Sequence, residues 1–347
     1  MKIHLALPFP PPNYGPSIYS KNLLESLKVL GYDVVVTNTE INKATTNIGT
    51  LSPIKYFKVL MIAIKIFTKS INAHTFMNIN LSTQGIIRTY IYFFPALLSS
   101  NKMSIIFHEG SIEKFYENYR PIVKKLFKKI INNAEKLILL DHQQKISLEK
   151  FIKPTKLFVL GAYRNDTFNS KIIKENKIVF YSNLIEDKGA RDAIDAYLRL
   201  NKEDKQNWKL IIAGNIKDPV FYEDIFKSHN AEVTFFTNKT YNEYISLLNS
   251  SKIFIYPSKY KYEQQPAVLI EALMNKLVVV SYDWAGTKSM LPEKYAYLCR
   301  NSVEDLYTSL KKLINEDNIN LYMNESREHY LNNYDKDIFN MKLKKLF

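Results

Sequence analysis

Two glutamates eight positions apart, Glu263 and Glu271, lie on either side of a predicted helix start in the second half of the chain. Pro266 suits the first turn of this helix, and Asn275 suits the left-handed position that ends it. Free N–H groups and the helix dipole make such a start attractive to phosphate. Glu263 in the preceding loop can reach a sugar hydroxyl, although a solvated loop glutamate is the alternative. Glu271 has apolar neighbours, so its carboxylate needs a partner, either a ribose diol or a salt bridge.

Three other residues that could take part in binding or catalysis each follow a predicted strand. Lys188 lies near a helix start, where a cation opposes the dipole unless it binds an anion, so we predict an anion site rather than a solvated lysine. His108 ends a strand and can donate a hydrogen bond or stabilise developing charge, with a purely structural histidine as the alternative. Gly15 allows the backbone to approach a ligand closely, with an ordinary turn as the alternative.

The elements that must position these residues follow from the alternation of short β-branched runs with helical patterns. This alternation predicts parallel sheets with helices on both faces, an α/β fold. Six strands are predicted in each half of the chain, so we expect two Rossmann-like domains. The predicted strands are Lys2–Leu7, Asp33–Thr37, His74–Leu81, Met103–Phe107, Lys136–Leu140, Lys156–Leu160, Lys177–Ser182, Trp208–Ala213, Glu232–Phe236, Lys252–Tyr256, Leu277–Ser281 and Ala296–Cys299.

The domain boundary is predicted in the polar stretch Gly161–Asn176, which has no clear periodicity. It gives an N-terminal domain over residues 1–163 and a C-terminal domain over residues 164–334. The basic helix predicted at Asp335–Phe347 is expected to rejoin the first domain. A length of 347 residues fits two domains, because a single core stops growing near roughly 250–300 residues.

Composition narrows the class of protein. Hydrophobic residues make up 46% and charged residues 24%, which excludes a disordered chain. Cys299 is the single cysteine, so no disulfide is expected, in keeping with a reducing cytoplasm. The first residues are too proline-rich for a signal peptide, and no stretch reaches the roughly 20 apolar residues of a membrane span. A net charge of +14 implies a polyanionic partner: a nucleotide-sugar, anionic lipid or nucleic acid.

Three predicted helices bear on membrane contact. The apolar stretches Tyr56–Lys69 and Thr89–Asn101 are interpreted as buried helices, with contact to a membrane surface as the alternative. Pro121–Ala134 is a basic amphipathic helix, with Val123 and Phe127 on one face and lysines largely on the other. Its apolar face is expected to pack on the sheet. A functional interpretation adds an anionic phospholipid surface that brings a lipid-linked acceptor to the site.

Several segments resemble one known family. The segment from Glu263 to Glu271 resembles the E-x7-E motif of retaining glycosyltransferases of family 4. Tyr181–Gly189 is similar to the G-R-L-x-x-E-K-G segment of that family, and Asn13–Pro16 resembles its G-G loop. The resemblance implies the GT-B fold, an α/β architecture of two Rossmann-like domains that face each other across a cleft. The matches run in the family's order from about residue 13 to residue 286.

The resemblance also implies roles for individual residues. Lys188 would neutralise the donor diphosphate, Glu263 and His108 would contact the donor sugar, and Glu271 would bind the nucleotide ribose. Asn183 stands where the family has a second cation, an arginine, for which Arg191, Lys259 or Lys261 could substitute. The further donor-binding positions implied are Gly15, Asn183, Gly214, Gln265, Pro266, Ala267 and Gly286.

By this resemblance we expect a retaining, metal-independent glycosyltransferase without cofactor. It would move a sugar from a UDP- or GDP-linked donor to a glycan or a polyprenyl-diphosphate-linked acceptor. Bacterial cell-surface polysaccharide synthesis, such as that of O-antigen, is the expected setting. The expected location is the cytoplasm, including a peripheral position at the inner face of the plasma membrane, and no nucleic acid is expected to bind.

Two alternatives come from other classes. A nucleotide-sugar epimerase on a GT-B scaffold would need additional acid and base carboxylates around the sugar, which the sequence does not reveal. A non-catalytic polyanion-binding protein is motivated by the +14 charge and predicts strongly salt-dependent binding.

Overall fold

A computed structural model describes residues 1–41, 53–110, 112–150, 152–261, 263–284, 286–291 and 296–347. The chain divides into two compact units. The first comprises Met1–Tyr163 and Phe339–Phe347, and the second comprises Arg164–Ile338. The predicted boundary between residues 163 and 164 lies at the same peptide bond.

The first unit contains a six-stranded parallel sheet in the order β2-β1-β3-β4-β5-β6. Its strands are β1 Lys2–Leu7, β2 Asp33–Asn38, β3 His74–Ile79, β4 Lys102–Phe107, β5 Lys136–Leu139 and β6 Leu157–Val159. Its helices are α1 Gly15–Val29, α2 Pro53–Ser70, α3 Thr83–Ser99, α4 Ile112–Glu117, α5 Pro121–Asn133 and α6 His142–Glu149.

Two separate clusters of buried side chains cover this sheet. One cluster includes residues of α2, α3 and α5, among them Ile66, Phe93 and Phe127. The other includes residues of α1, and it also contains Phe339 and Leu343 from the last helix of the chain, Lys336–Lys344. Residues far apart in sequence therefore complete the core of the first unit.

The second unit contains another six-stranded parallel sheet, in the order β12-β11-β10-β7-β8-β9. Its strands are β7 Lys177–Tyr181, β8 Lys209–Gly214, β9 Thr234–Thr237, β10 Ile253–Tyr256, β11 Val278–Tyr282 and β12 Ala296–Cys299. The helices from here to the end of the chain are α7 Ala190–Leu198, α8 Lys202–Asn207, α9 Pro219–His229, α10 Tyr241–Ser250, α11 Ala267–Met274, α12 Thr287–Met290, α13 Val303–Ile314, α14 Ile319–Asn333 and α15 Lys336–Lys344.

The order of these strands determines where a ligand site can lie. The chain passes from β7 to β8 on one side and later returns to β10 on the other side of β7. In open α/β sheets, the crevice for ligands lies beyond the carboxyl ends of the strands at this reversal. All twelve predicted strands are present, with ends that differ by two residues or fewer. The predicted α/β class with two Rossmann-like domains is confirmed.

The prediction that the stretches in α2 and α3 are buried helices is only half right. On α3, Phe93 and Ala96 are buried, whereas Phe94 and Leu98 are exposed. Each helix turns one apolar side to the core and exposes further apolar side chains to solvent. The expectation for α5 is met, since its apolar residues Val123 and Phe127 are buried. None of the helices within the described ranges combines the length and apolar character that crossing a bilayer requires.

Candidate active site

A buried ion pair joins Lys188 to Glu263 at the carboxyl edge of the second sheet. Lys188 ends a short 3-10 turn after β7, and Glu263 lies in the loop after β10. Because β7 and β10 are neighbours in the sheet, the two loops emerge side by side. Lys188 is only 8% exposed, so it is not the solvated lysine of the alternative interpretation.

Gly189 brings the two loops into contact. Its φ of +84° is in the left-handed region, which favours glycine. A Cβ at this position would lie 2.1 Å from the carbonyl oxygen of Pro257, so a side chain would force the loops apart. The backbone N–H of Lys259 also donates to the carbonyl of Asp187 at 2.8 Å. This packing places the ammonium group of Lys188 against the carboxylate of Glu263.

Hydroxyl groups hold the Glu263 carboxylate in place. The hydroxyl of Tyr256 donates to it at 2.7 Å, and that of Ser258 donates at 3.4 Å. Burial raises the pKa of Tyr256 well above its usual value, and the Glu263 charge adds to this effect, so the tyrosine stays a donor. The Lys188 ammonium also lies 4.3 Å from the centre of the Tyr260 ring. Sequence reasoning did not identify these three supporting side chains, although Ser258 and Tyr260 lie in the same loop as Glu263.

Glu271 has its own cationic partner. The Arg164 Nε lies 3.0 Å from its carboxylate, and the Tyr241 hydroxyl donates to the same oxygen at 3.3 Å. Glu271 is 4% exposed, and burial raises its pKa, while the Arg164 charge acts in the opposite direction. The Tyr330 hydroxyl on α14 donates to the Arg164 carbonyl at 2.8 Å and so positions this residue. No sequence motif marks Arg164, which lies 107 positions from Glu271 in an aperiodic stretch.

The helix that carries Glu271 ends at Met274, as predicted, but the residues that flank it differ from prediction. Pro266 is the N-cap, and the helix begins at Ala267. Asn275 does not adopt the left-handed conformation, since its φ is −91°. Lys276 adopts it instead, with a φ of +59°. The reason is local, because the buried Asn275 amide donates back to the Glu271 carbonyl at 2.8 Å.

Asn183 occupies the position of the family's second cation, and the three cations that could replace it have interactions of their own. Asn183 is exposed. Arg191 is engaged with Asp224 at 2.6 Å, and Lys259 with Asp192 at 2.8 Å. These surface pairs are weak and exchangeable, so they do not prevent either cation from turning to an anion. Lys261 is exposed and has other interactions.

The remaining predicted donor positions of the second unit are distributed around the same loops. Gly214 ends β8 with a φ of +144°, and a Cβ there would lie 1.6 Å from the Ser182 carbonyl oxygen, so this position requires glycine. Gln265 and Ala267 are partly exposed at the start of α11. Gly286 is buried and forms the N-cap of the short α12, with an ordinary helical φ of −76°.

In the first unit, His108 follows β4 at the carboxyl edge of the sheet. Its ring packs edge-on against Tyr19, with 5.0 Å between ring centres. Burial lowers the pKa of His108 to about 3, so the imidazole is neutral at physiological pH. Its Nε2 is buried and has no hydrogen-bond partner among the described residues. Gly15 opens α1, and no described atom lies within 4 Å of the position of a Cβ there, so packing does not explain this glycine.

A cluster missed by the sequence reasoning lies on the same unit. Arg88 on α3 is half-buried, and its positive charge opposes the raised pKa values of Tyr14, Tyr92 and Glu109. No described carboxylate comes within ion-pair distance of Arg88. The Tyr92 hydroxyl is buried, likewise without a partner among the described residues. A cation and an unsatisfied hydroxyl in this position suit a polar or anionic ligand.

No group of three or more His, Cys, Asp or Glu side chains in the described ranges is arranged to hold a metal ion. The charged side chains described above offer electrostatic interactions to a ligand. Lys188 and Arg164 can contact an anion or an oxygen-rich ligand, and the two glutamates can accept hydrogen bonds from hydroxyl groups.

Solved structures share the fold of this chain. HepE of Anabaena, in complex with UDP and glucose, superposes with a TM-score of 0.73 at 12% identity, covering 100% of this chain and 99% of that one. A likeness at this identity concerns the fold alone.

The family match is more specific for the second unit. Residues 162–334 match the model of the family described as "Glycosyl transferases group 1". An uncharacterized glycosyltransferase of Methanocaldococcus jannaschii is 26% identical over 180 residues, which is 51% of this chain and 44% of that protein. The GalNAc-α-(1→4)-GalNAc-α-(1→3)-diNAcBac-PP-undecaprenol α-1,4-N-acetyl-D-galactosaminyltransferase of Campylobacter jejuni is 26% identical over 191 residues, 53% of this chain and 52% of that one. The chain thus matches about half the length of these curated relatives.

Proposed function

We propose that the protein is a glycosyltransferase that moves a sugar from a nucleotide-sugar donor to a glycan or a lipid-linked glycan. The observation that carries this proposal is the pair of buried carboxylate–cation contacts, Lys188–Glu263 and Arg164–Glu271, within the segment that matches group 1 glycosyl transferases. Buried charges at the carboxyl edge of a parallel sheet are costly for stability, and a donor with a diphosphate and several hydroxyls gives them a use.

In the reaction, the bond between the anomeric carbon and the diphosphate oxygen breaks, and the electron pair leaves with the nucleoside diphosphate. Lys188 stabilises the negative charge on this leaving group. The acceptor oxygen forms the new bond to the anomeric carbon, and its proton passes to the leaving phosphate. Attack on the face from which the diphosphate departs retains the anomeric configuration. These assignments rest on the resemblance to retaining enzymes.

The carboxylates position the donor. Glu263 accepts hydrogen bonds from the sugar hydroxyls, and Glu271 from the ribose diol. Donor binding must change the contacts of Lys188, which leaves part of its interaction with Glu263 to contact the diphosphate. Tyr256 and Ser258 keep Glu263 hydrogen-bonded during this exchange. Arg191 and Lys259 are the nearest candidates for the missing second cation, since their surface pairs exchange easily.

His108 supports the donor sugar as a neutral imidazole. With a pKa of about 3, it does not act as a protonated acid at neutral pH, but its Nε2 can form a hydrogen bond with a sugar hydroxyl. Gly15 permits close approach of the backbone to the donor. Arg88 and Tyr92 contact a polar or anionic part of the acceptor. Arg88→Gln is expected to raise the KM for the acceptor without changing the affinity for the donor.

The remaining features of the proposal concern the setting. UDP-linked and GDP-linked sugars are the donor classes to test, and UDP occurs in the solved structure of HepE. A polyprenyl-diphosphate-linked acceptor has a parallel in the name of the Campylobacter jejuni relative. We place the protein in bacterial cell-surface polysaccharide synthesis, in the cytoplasm or peripherally at the inner face of the plasma membrane. Transfer needs no metal in this scheme.

The experiment is a thermal-shift panel of UDP- and GDP-sugars, followed by product analysis. A ligand at 100 times its Kd adds roughly 2.7 kcal/mol of stability, so one donor should stand out. Product NMR then shows whether the anomeric configuration is retained, and EDTA shows whether metal is needed. Conversion of the donor without acceptor to its epimer would instead identify an epimerase. Salt-dependent binding to nucleic acid, with no response to any nucleotide-sugar, would instead support a polyanion-binding protein.

A further inference from the structure

The outer surface of the first unit carries an unusual apolar face. Helices α2 and α3 pack side by side, and each turns one apolar stripe to the core and another to solvent. We call the solvent-facing stripes the α2–α3 face. Its most exposed members include Phe57, Leu60, Ile64, Phe67, Phe94 and Leu98.

The helical spacing shows that these residues form continuous stripes. On α2, residues 57, 60, 64 and 67 follow the 3-4-3 spacing of one helix face, while Ala63 and Ile66 on the other side are buried. On α3, residues 87, 91, 94 and 98 are exposed with a 4-3-4 spacing, which also places them on one helix face. Leu98 is 65% exposed and Phe57 is 66% exposed, although both are large side chains. Monomeric proteins rarely present so large an apolar patch unless it contacts a partner or a membrane.

The charge around this face identifies the occupant. No aspartate or glutamate occurs between Glu40 and Glu109, a span that includes all of α2 and α3. Lys58 and Lys65 are exposed on α2. Helix α5 contacts α3 and carries the exposed Lys125 and Lys129, while its own apolar face is buried. An apolar stripe flanked by lysines, with no acidic residue, complements the boundary between anionic headgroups and acyl chains.

We propose that the α2–α3 face docks the protein on an anionic lipid bilayer, with its apolar side chains in the headgroup–acyl boundary and the lysines of α2 and α5 against the headgroups. Exposed aromatic residues such as Phe57 and Phe94 suit this depth. Helix α5, for which the sequence also allowed contact with anionic lipid, contributes charge rather than apolar contact. The docking does not depend on the transfer activity, so each can be tested without the other.

The test is co-sedimentation of the full chain with vesicles of phosphatidylcholine alone or mixed with phosphatidylglycerol. Wild-type protein should bind the mixed vesicles at least about tenfold more tightly, since each lysine near an anionic surface contributes about fivefold. The docking variant combines Leu60→Glu, Ile64→Glu and Leu98→Glu. It should weaken binding at least about a hundredfold, because it removes apolar contact and adds three negative charges at the surface.

The matched control combines Ile173→Glu, Val220→Glu and Leu321→Glu. These residues of the second unit are also well exposed, and the change in net charge is the same. The control should bind within about tenfold of wild type. Both variants should keep the wild-type melting temperature and the wild-type thermal shift with a nucleotide-sugar.

Three results would overturn the proposal. They are equal wild-type binding to neutral and anionic vesicles, equal loss of binding in the docking variant and the control, and a wild-type dimer that the docking variant converts to monomer with vesicle binding unchanged. The last would assign the face to a second copy of the chain.

Discussion

Removing the charge of Lys188 separates the structural contribution of the ion pair from its proposed catalytic one. Both partners are nearly buried, with side chains about a tenth exposed, 10% for Lys188 and 12% for Glu263. Breaking a buried pair by removing one partner costs about 3–5 kcal/mol, because the other charge stays buried. Glu263 would keep its hydrogen bonds from Tyr256 and Ser258, so we expect Lys188→Met to cost about 3 kcal/mol, near the lower limit.

The double variant Lys188→Met with Glu263→Gln removes both charges and keeps an oxygen that Tyr256 can donate to. We expect it to regain at least half of the lost stability, since no unpaired charge remains. A cost of about 3 kcal/mol corresponds to a fall in melting temperature of roughly 6–12 °C for a unit of this size. Calorimetry of wild type, the single variant and the double variant, each with and without a nucleotide-sugar, measures these differences in melting temperature.

Activity should behave differently from stability. Both the single and the double variant lack the cation that stabilises the leaving diphosphate, so kcat should fall at least about a hundredfold in each. A double variant that regains both stability and kcat would show that Lys188 only balances the charge of Glu263. A single variant with a melting temperature within about 2 °C of wild type would contradict the buried ion pair itself.

Three other predictions concern separate parts of the molecule. Gly214→Ala should destabilise the second unit by more than about 3 kcal/mol, because the added Cβ would lie 1.6 Å from a carbonyl oxygen at a φ of +144°. Gly15→Ala places its Cβ in open space, so it should leave the melting temperature unchanged and lower the transfer rate at least about tenfold. His4 is buried, and its pKa is lowered to about 4, whereas in the unfolded chain the histidine binds its proton near pH 6.5. Its contribution to the free energy of unfolding is therefore fully present above pH 6.5 and falls by about 3 kcal/mol between pH 6.5 and pH 4. Urea unfolding of His4→Gln should lack this part of the acid dependence. Arg164→Met should leave the Glu271 carboxylate buried without a cation, which raises the pKa of Glu271 further. The free energy of unfolding should fall by about 3 kcal/mol at pH 8 and by less at pH 5, where Glu271 takes up a proton. An equal fall at both pH values would refute this.

The local pattern of the sequence predicted the elements well. Strands such as β2 and β11 were found because β-branched runs bounded by polar residues are a property of a few adjacent residues. The loop around Glu263 and the helix bearing Glu271 were found in the same way. The left-handed residue after that helix was predicted wrongly: it is Lys276, because the Asn275 amide donates back to the Glu271 carbonyl.

The residue types and spacing of this chain thus determined an α/β fold with two parallel sheets. They also identified Lys188, Glu263 and Glu271 as charged residues of candidate function. Only the tertiary structure decided their partners, Glu263 for Lys188 and Arg164 for Glu271, which are 75 and 107 positions apart. It also decided that α2 and α3 each leave one apolar stripe in solvent. Sequence spacing reports which residues share a helix or a strand, whereas ion pairs and exposure depend on which strands become neighbours and which side of a helix meets the core.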